Sequence, residues 1–213
     1  MTARSTLTMA GAIAATAILA ACSGTPATSA TSAPADGSGS TSPAVASTSQ
    51  PPAAATELNP SGDIPDNQAY VAFSPAGGGY SVKIPEGWSR TAAGTSTSFT
   101  DKLNRIEVSM VAAPAQPSIA SVTNTDVPSV TSKVSKFAMG KVTSVVRRGG
   151  RAVLLTYQGD SAPDQVTGKV IRDAFERYTF YRAGKRVDLT LSGPTNADNV
   201  DPWRIVSDSL RWS

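Results

Sequence analysis

Beyond Tyr70 the chain repeatedly alternates apolar and polar residues with a period of two. Tyr80-Ser81-Val82-Lys83-Ile84 shows it, as do Ile106, Val108 and Met110 against Glu107 and Ser109. So do Val187, Leu189 and Leu191 against Arg186, Asp188 and Thr190. A period of two predicts half-buried β-strands. The expected strands are Tyr70–Phe73, Tyr80–Ile84, a weak one over Ser96–Thr100 around Phe99, and Arg105–Ala112. Lys141–Arg148, Arg151–Gln158, Thr167–Arg182 and Lys185–Ser192 follow. Gly77-Gly78-Gly79 reads as a flexible hairpin tip rather than a phosphate cradle, and Pro85-Glu86-Gly87-Trp88 breaks the strand before it. Gly149-Gly150 and Ala183-Gly184 are two-residue hairpin signals.

Two stretches have helical spacing instead. Val127, Val130, Val134 and Phe137 recur at steps of three and four, with Asp126 able to cap, Pro128 suited to a first turn and Gly140 able to stop the helix. Ser118–Val122 gives a further helical turn before it. Val200, Trp203, Val206 and Leu210 mark a C-terminal helix that starts near Asp198 or Asp201, with Pro202 in its first turn. Runs of antiparallel strands with separate helices predict an α+β domain, whose helices lie on one face of the sheet or on both. Trp88 and Trp203 fit the core or its edge, while Trp212 either closes the sheet or stays partly open.

Before Tyr70 the pattern disappears. Residues 23–60 are nearly all Ser, Thr, Ala, Pro and Gly, with only Asp36 and Glu57 charged. Such a segment buries too little apolar surface to offset its ordering entropy. As a coil it would span about 35 Å, the length of a tether. It serves as a plain spacer or carries O-linked sugars on its Ser and Thr hydroxyls.

The first 21 residues place a basic start, Thr2-Ala3-Arg4, before an uncharged Ala/Ile/Leu/Thr stretch, the layout of a secretory signal. Leu19-Ala20-Ala21-Cys22 resembles the lipobox of bacterial lipoproteins. That resemblance implies a diacylglycerol on the Cys22 sulfur, cleavage before it, and a place on the extracytoplasmic face of the cell membrane. The alternatives are an uncleaved signal anchor or ordinary cleavage beside a bystander cysteine. The apolar stretch falls short of the roughly 20 residues needed to span a bilayer. The expected organisation is a lipoprotein signal over residues 1–21, the lipidated cysteine and tether over 22–65, and a folded domain over 66–213. Cys22 is the only cysteine, so the domain holds together without an internal disulfide.

Two short motifs carry a second resemblance. Tyr80-Ser81-Val82-Lys83-Ile84-Pro85-Glu86-Gly87-Trp88 resembles the opening of PsbP-like domains, and Val206-Ser207-Asp208-Ser209-Leu210-Arg211-Trp212 is similar to their closing helix and tail. With the lipobox and tether, the chain resembles LpqN-type lipoproteins of mycobacteria. The resemblance implies a twisted antiparallel sheet flanked by helices, an α/β/α sandwich. It also implies an accessory or binding role rather than an enzyme, and it supplies no active site.

The chemistry-bearing residues agree with a non-enzyme. The chain has no histidine, which removes the commonest general base and nearly every zinc or copper site. It has no Ser-x-x-Lys dyad, no Gly-x-Ser-x-Gly elbow and no Walker loop. No metal site and no cofactor are expected. Glu107, Asp173, Glu176 and Asp188 lie on expected strands and read as partners of Arg172, Arg177 and Arg186, although a carboxylate pair acting on a glycan is the enzymatic alternative. Asn196, Asp198 and Asp201 lack calcium-loop spacing and read as turn and cap residues. The net charge of +3 is spread along the chain and gives no nucleic-acid footprint.

One charge cluster stands out. In a meander alternate turns share an end of the sheet, so the Gly149-Gly150 and Ala183-Gly184 turns should meet there. Their flanks carry Arg147, Arg148, Arg151, Arg182, Lys185 and Arg186, with no acid among them. The expectation is a rim that contacts anionic headgroups or phosphorylated glycans, against the plainer role of keeping hairpin ends soluble. The expected function is a cell-envelope lipoprotein carrying a non-catalytic binding or adaptor module. Its partner is the membrane, through its anchor, together with an envelope protein, a lipid or a cell-wall glycan. A carboxylate-dependent hydrolase of envelope polymers and a lipid carrier are the alternatives.

Overall fold

The computed structural model describes residues 61–163 and 167–213. The chain divides into two units, Met1–Ala53 and Ala54–Ser213, and every described residue belongs to the second. The expected signal, Cys22 and most of the tether lie outside the described residues.

Seven antiparallel strands form the large sheet. In chain order they are β3 (Ser89–Ala93), β4 (Ser96–Asp101), β5 (Asn104–Ala112), β6 (Ser135–Arg147), β7 (Gly150–Asp160), β8 (Arg172–Arg182) and β9 (Lys185–Pro194). Their spatial order is β3-β4-β5-β9-β8-β7-β6. A small sheet of β1 (Tyr70–Phe73), β2 (Tyr80–Pro85) and β10 (Arg211–Trp212) is ordered β1-β2-β10. Three short helices complete the domain: α1 (Ile119–Ser121), α2 (Val127–Thr131), joined to α1 by a π-helical turn at Val122–Asp126, and α3 (Val200–Asp208). The α+β expectation holds, with a fold richer in sheet and sparser in helix than a full sandwich.

The period-two pattern sets which side chains go where. On the first face of the large sheet, Ile106, Val108, Tyr178, Phe180, Val187, Leu189 and Leu191 meet Phe73, Tyr80, Val82 and Ile84 of the small sheet and Trp203, Val206 and Leu210 of the C-terminal segment. Phe180, Val187, Leu189 and Leu191 are wholly buried. A smaller cluster occupies the second face, where Val153, Leu155 and Tyr157 of β7 meet Val122, Val127 and Val130 of the helical segment. Helices therefore lie on both faces. The helical segment is too short to cover the whole second face, and polar residues of β5, β8 and β9 take up the remainder.

Three expectations are corrected. The helix expected over Asp126–Gly140 stops at Thr131, and β6 begins at Ser135. Val134 and Phe137 still pack on the second cluster with Val127 and Val130, so the same apolar spacing is met by a helix that turns into a strand. Gly140 lies inside β6 beside a register irregularity, where a Cβ would come 2.7 Å from the Thr156 carbonyl. The expected strand over Thr167–Arg182 begins at Arg172. The first hairpin turns at Arg148-Gly149, one residue early, because Arg147 pairs with Gly150. Gly150 takes the left-handed conformation there, at φ +112°. The Ala183-Gly184 turn forms as expected, both residues at positive φ.

Both ends of the described domain are fastened. Trp212 closes the small sheet, paired with Tyr80, and its indole N–H donates to the Gly149 carbonyl at 2.9 Å. Upstream, packed structure reaches back beyond residue 66. Ile64 is buried in the first cluster and its N–H donates to Asn199 Oδ1 at 2.8 Å. Asn199 stands at the N-terminus of α3, yet its side chain bonds Gly62 and Asn104 rather than capping the helix. Asp198 and Asp201 do not cap it either.

Candidate functional site

The uncovered part of the second face forms a groove in two adjoining sections. The first, about 270 Å³, runs beneath α2 between Asp126 and Val130 and over Glu107, Arg177 and Thr190. The second, about 620 Å³, lies at the end of the sheet. It is enclosed by the β4–β5 turn, the link after α2, Ser161, Ala162, Thr167, Lys169 and Ile171 between β7 and β8, and the floor residues Asp173, Phe175 and Ser192. Arg105, Lys133, Val134, Phe175 and Ser192 line both sections. The larger volume suits a small-molecule ligand.

The floor beneath α2 is built on a largely buried ion network. Asp188 accepts from Thr179 Oγ1 and from Arg186 Nε, each at 2.9 Å, and pairs with Arg177 Nη2 at 2.9 Å. Arg186 donates onward to Asp126 at 2.6 Å, tying the helical segment to β9. Asp126 therefore works as a counter-ion rather than a cap. Burial alone would lower the Arg186 pKa, but Asp126 and Asp188 reverse that and raise it. Burial also pushes Glu107 up, and hydrogen bonds from Arg105 and Ser96 outweigh it, so its pKa is lowered. Arg105 and Glu107 are both substantially exposed, and that pair contributes little to stability. Glu176 faces away from the groove and accepts from the Tyr178 hydroxyl at 2.7 Å.

Asp173 breaks the pattern. It is 6% exposed, and its Oδ1 has no hydrogen-bond partner among the described residues. Arg172, its sequence neighbour, is engaged elsewhere with Asp160 and the Lys136 carbonyl. Burial alone lifts the Asp173 pKa from the ordinary 3.8 to about 6. Four cations, Lys102, Arg105, Lys133 and Lys169, line the same pocket, yet none offsets its charge. Leu103, Val134, Ile171 and Phe175 supply apolar wall. One flank of Phe175 is closed by Tyr157, stacked at 4.5 Å between centroids. The pocket also holds Asp160, whose pKa is lowered by its hydrogen bond from Lys136, with Arg172 adding to it. Of the four candidate carboxylates, three are thus partnered and the fourth is buried alone. No cluster of three or more potential metal ligands occurs among the described residues.

The expected cationic rim is only partly assembled. The two turns share an end of the sheet, as the pairing of β6 through β9 requires. Arg147 turns inward, its Nη2 donating to the Tyr178 hydroxyl at 3.1 Å and its Nε to Ser207 at 3.2 Å. Arg186 belongs to the buried network. The acids that hold them, Asp208, Asp126 and Asp188, come from α3, the helical segment and β9's own second face. Arg148, Arg151, Arg182 and Lys185 remain exposed. Arg148 borders a separate cleft with Lys83, Arg204 and Arg211, which flank-by-flank reading missed because they come from β2, α3 and β10.

No family model and no curated protein matches this chain. Among solved structures the chain is similar to the cyanobacterial PsbP, CyanoP, of Synechocystis, at 14% identity and a TM-score of 0.47, over 77% of this chain and 100% of that one. It is similar to LpqN of Mycobacterium tuberculosis, involved in cell envelope biogenesis, at 11% identity and a TM-score of 0.37, over 68% and 85%. A Bacteroides thetaiotaomicron protein is similar at 12% identity and a TM-score of 0.43 over 67% of this chain, which spans about half the length of that protein, 48%. No helix among the described residues is long and apolar enough to cross a membrane.

Proposed function

We propose that the chain is a non-catalytic binding module of the cell envelope, lipid-anchored through Cys22, whose binding site is the groove beneath α2. One observation carries the site: Asp173 is buried without a partner at the floor of a pocket that apolar side chains and cations also line. Burying a carboxylate uncompensated is costly, and a bound donor relieves that cost. A photoreactive side chain at position 133, on the groove edge, is expected to crosslink its ligand in living cells. The same group at exposed Glu86 in the β2–β3 turn is expected not to. Equal capture from both positions would refute the site.

The anchor rests on the Leu-Ala-Ala-Cys sequence alone. Cys22→Ser is expected to move the protein from the membrane fraction to the soluble fraction and to abolish an acyl mass on the mature chain. Unchanged fractionation of this variant, with no acyl group on the wild type, would dismiss the anchor.

Arg148, Arg151, Arg182 and Lys185 form the part of the cationic end still available to anionic headgroups. A basic residue near an anionic surface contributes about 1 kcal/mol. Neutralising all four in the Cys22→Ser background is therefore expected to weaken binding to phosphatidylglycerol vesicles at least tenfold. Equal binding would leave these residues with a solubility role only.

A further inference from the structure

We propose that the pocket at the end of the sheet takes a small zwitterion, with a primary ammonium against Asp173 and an anionic group at Lys102, Lys133 and Lys169. This rests on reading the groove as the binding site and adds the chemistry of its ligand. Three observations converge on it.

The first is the lone acid. Asp173 is more than nine-tenths buried, and its Oδ1 lacks a partner among the described residues. A charged donor relieves a buried carboxylate better than a hydroxyl does, because charge-assisted hydrogen bonds are about twice as strong as neutral ones. The second is the set of lysines. Lys102, Lys133 and Lys169 come from the β4–β5 turn, the link after α2 and the β7–β8 connection. None forms an ion pair among the described residues. None of the cations pairs with Asp173, whose pKa is raised by burial alone. Positive and negative poles are thus separate within one cavity, the arrangement that matches a ligand carrying both charges. The third is the wall, where Leu103, Ile171 and Phe175 offer apolar surface. That favours a ligand with an apolar body.

Two sources share this chemistry: a free amino acid with an apolar side chain, and a phosphoethanolamine headgroup. The test is calorimetric titration of the full chain in non-ionic detergent with L-leucine, O-phosphoethanolamine, N-acetyl-leucine and leucinamide. At least one zwitterion is expected to bind, with leucine tighter if the source is an amino acid and phosphoethanolamine tighter if it is a headgroup. N-acetyl-leucine lacks the ammonium and leucinamide lacks the carboxylate, and both are expected to bind at least tenfold more weakly than the tighter zwitterion. Asp173→Asn is expected to weaken the zwitterion at least tenfold while leaving cooperative unfolding intact. Replacing the three lysines by Gln is expected to do the same. Affinity should rise with pH through about 6 as Asp173 ionises. The other charged groups lining the pocket are Asp160 from β7, Arg105 from β5 and the three lysines. Asp160 is already held ionised by Lys136 and Arg172.

N-acetyl-leucine binding as well as the tighter zwitterion would overturn the proposal. Undiminished binding to Asp173→Asn would do so too, as would the failure of both zwitterions to bind. If both fail while position 133 still crosslinks a ligand in cells, the groove stands and only this chemistry falls.

Discussion

Asp188→Ala is expected to destabilise the domain by about 3–5 kcal/mol, the range for removing one partner of a buried ion pair. Asp188 is 7% exposed and stands between Arg177 and Arg186, both largely buried. Its removal leaves Arg177, whose Nε already lacks a partner, without its nearest counter-ion. It also strips Thr179 of its acceptor. Arg186 keeps Asp126, so the loss falls mainly on the β8–β9 pair. Asp188→Asn retains a hydrogen-bond acceptor without the charge and should fall between wild type and Ala. Urea unfolding at neutral pH measures both. A loss under about 1 kcal/mol for the Ala variant, the value of an exposed pair, would show that the network is solvated rather than buried.

The second large effect has the opposite sign. Asp173→Asn is expected to stabilise the protein at pH 7.5 by about 2–3 kcal/mol. The folded-state pKa of about 6 lies above the ordinary 3.8. Between those values the folded chain holds a proton that the unfolded chain has released, so stability falls as pH rises through this window. Above pH 6 the full cost of ionising a buried acid applies, about 1.4 kcal/mol for each pKa unit. Below pH 3.8 both states are protonated and the cost vanishes. Wild type and variant should then unfold alike at pH 3.5 and diverge progressively toward pH 7. A variant less stable than wild type at pH 7.5 would mean that the carboxylate has a favourable partner after all. A residue that lowers stability and sits in a cavity is better explained by ligand binding than by folding.

Much of the fold was legible because most strands carry one apolar face. The period of two is unmistakable in β2, β5 and β9, where Tyr80, Val82 and Ile84, Ile106 and Val108, and Val187, Leu189 and Leu191 enter the first cluster. Two strands escaped for opposite reasons. Every residue of β3 is exposed, so no hydrophobic signal exists to read. The two-residue β10 is too short to show a period. Helical spacing continues past Thr131 because Val134 and Phe137 reach the same cluster from beyond the helix as they would from within it. Spacing reports which cluster a residue joins, not the backbone that carries it there.

The groove was harder to foresee. Its wall residues come from segments between Thr100 and Ser192 that meet only through the strand order. One local signal was available. Asp173 shares the parity of Phe175 and Arg177 on β8, and so falls on the face that the helical segment partly covers, not on a solvated one. The flanking arginines misled in the converse way. Arg147 has no acid nearby in sequence, yet Asp208 reaches it in the fold, and Arg186 is held by distant Asp126 as well as by Asp188 two residues on.

The amide clamp at the start of the domain has a mechanical consequence. Asn104 and Asn199 both grip the Gly62 carbonyl, at 2.8 and 2.9 Å, and Asn199 also holds the Ile64 N–H. Traction applied upstream of residue 61 meets these side chains before it reaches β1. The load passes to the β4–β5 turn and to the start of α3, two points distant in sequence, so a pull must rupture several short bonds before any strand begins to peel.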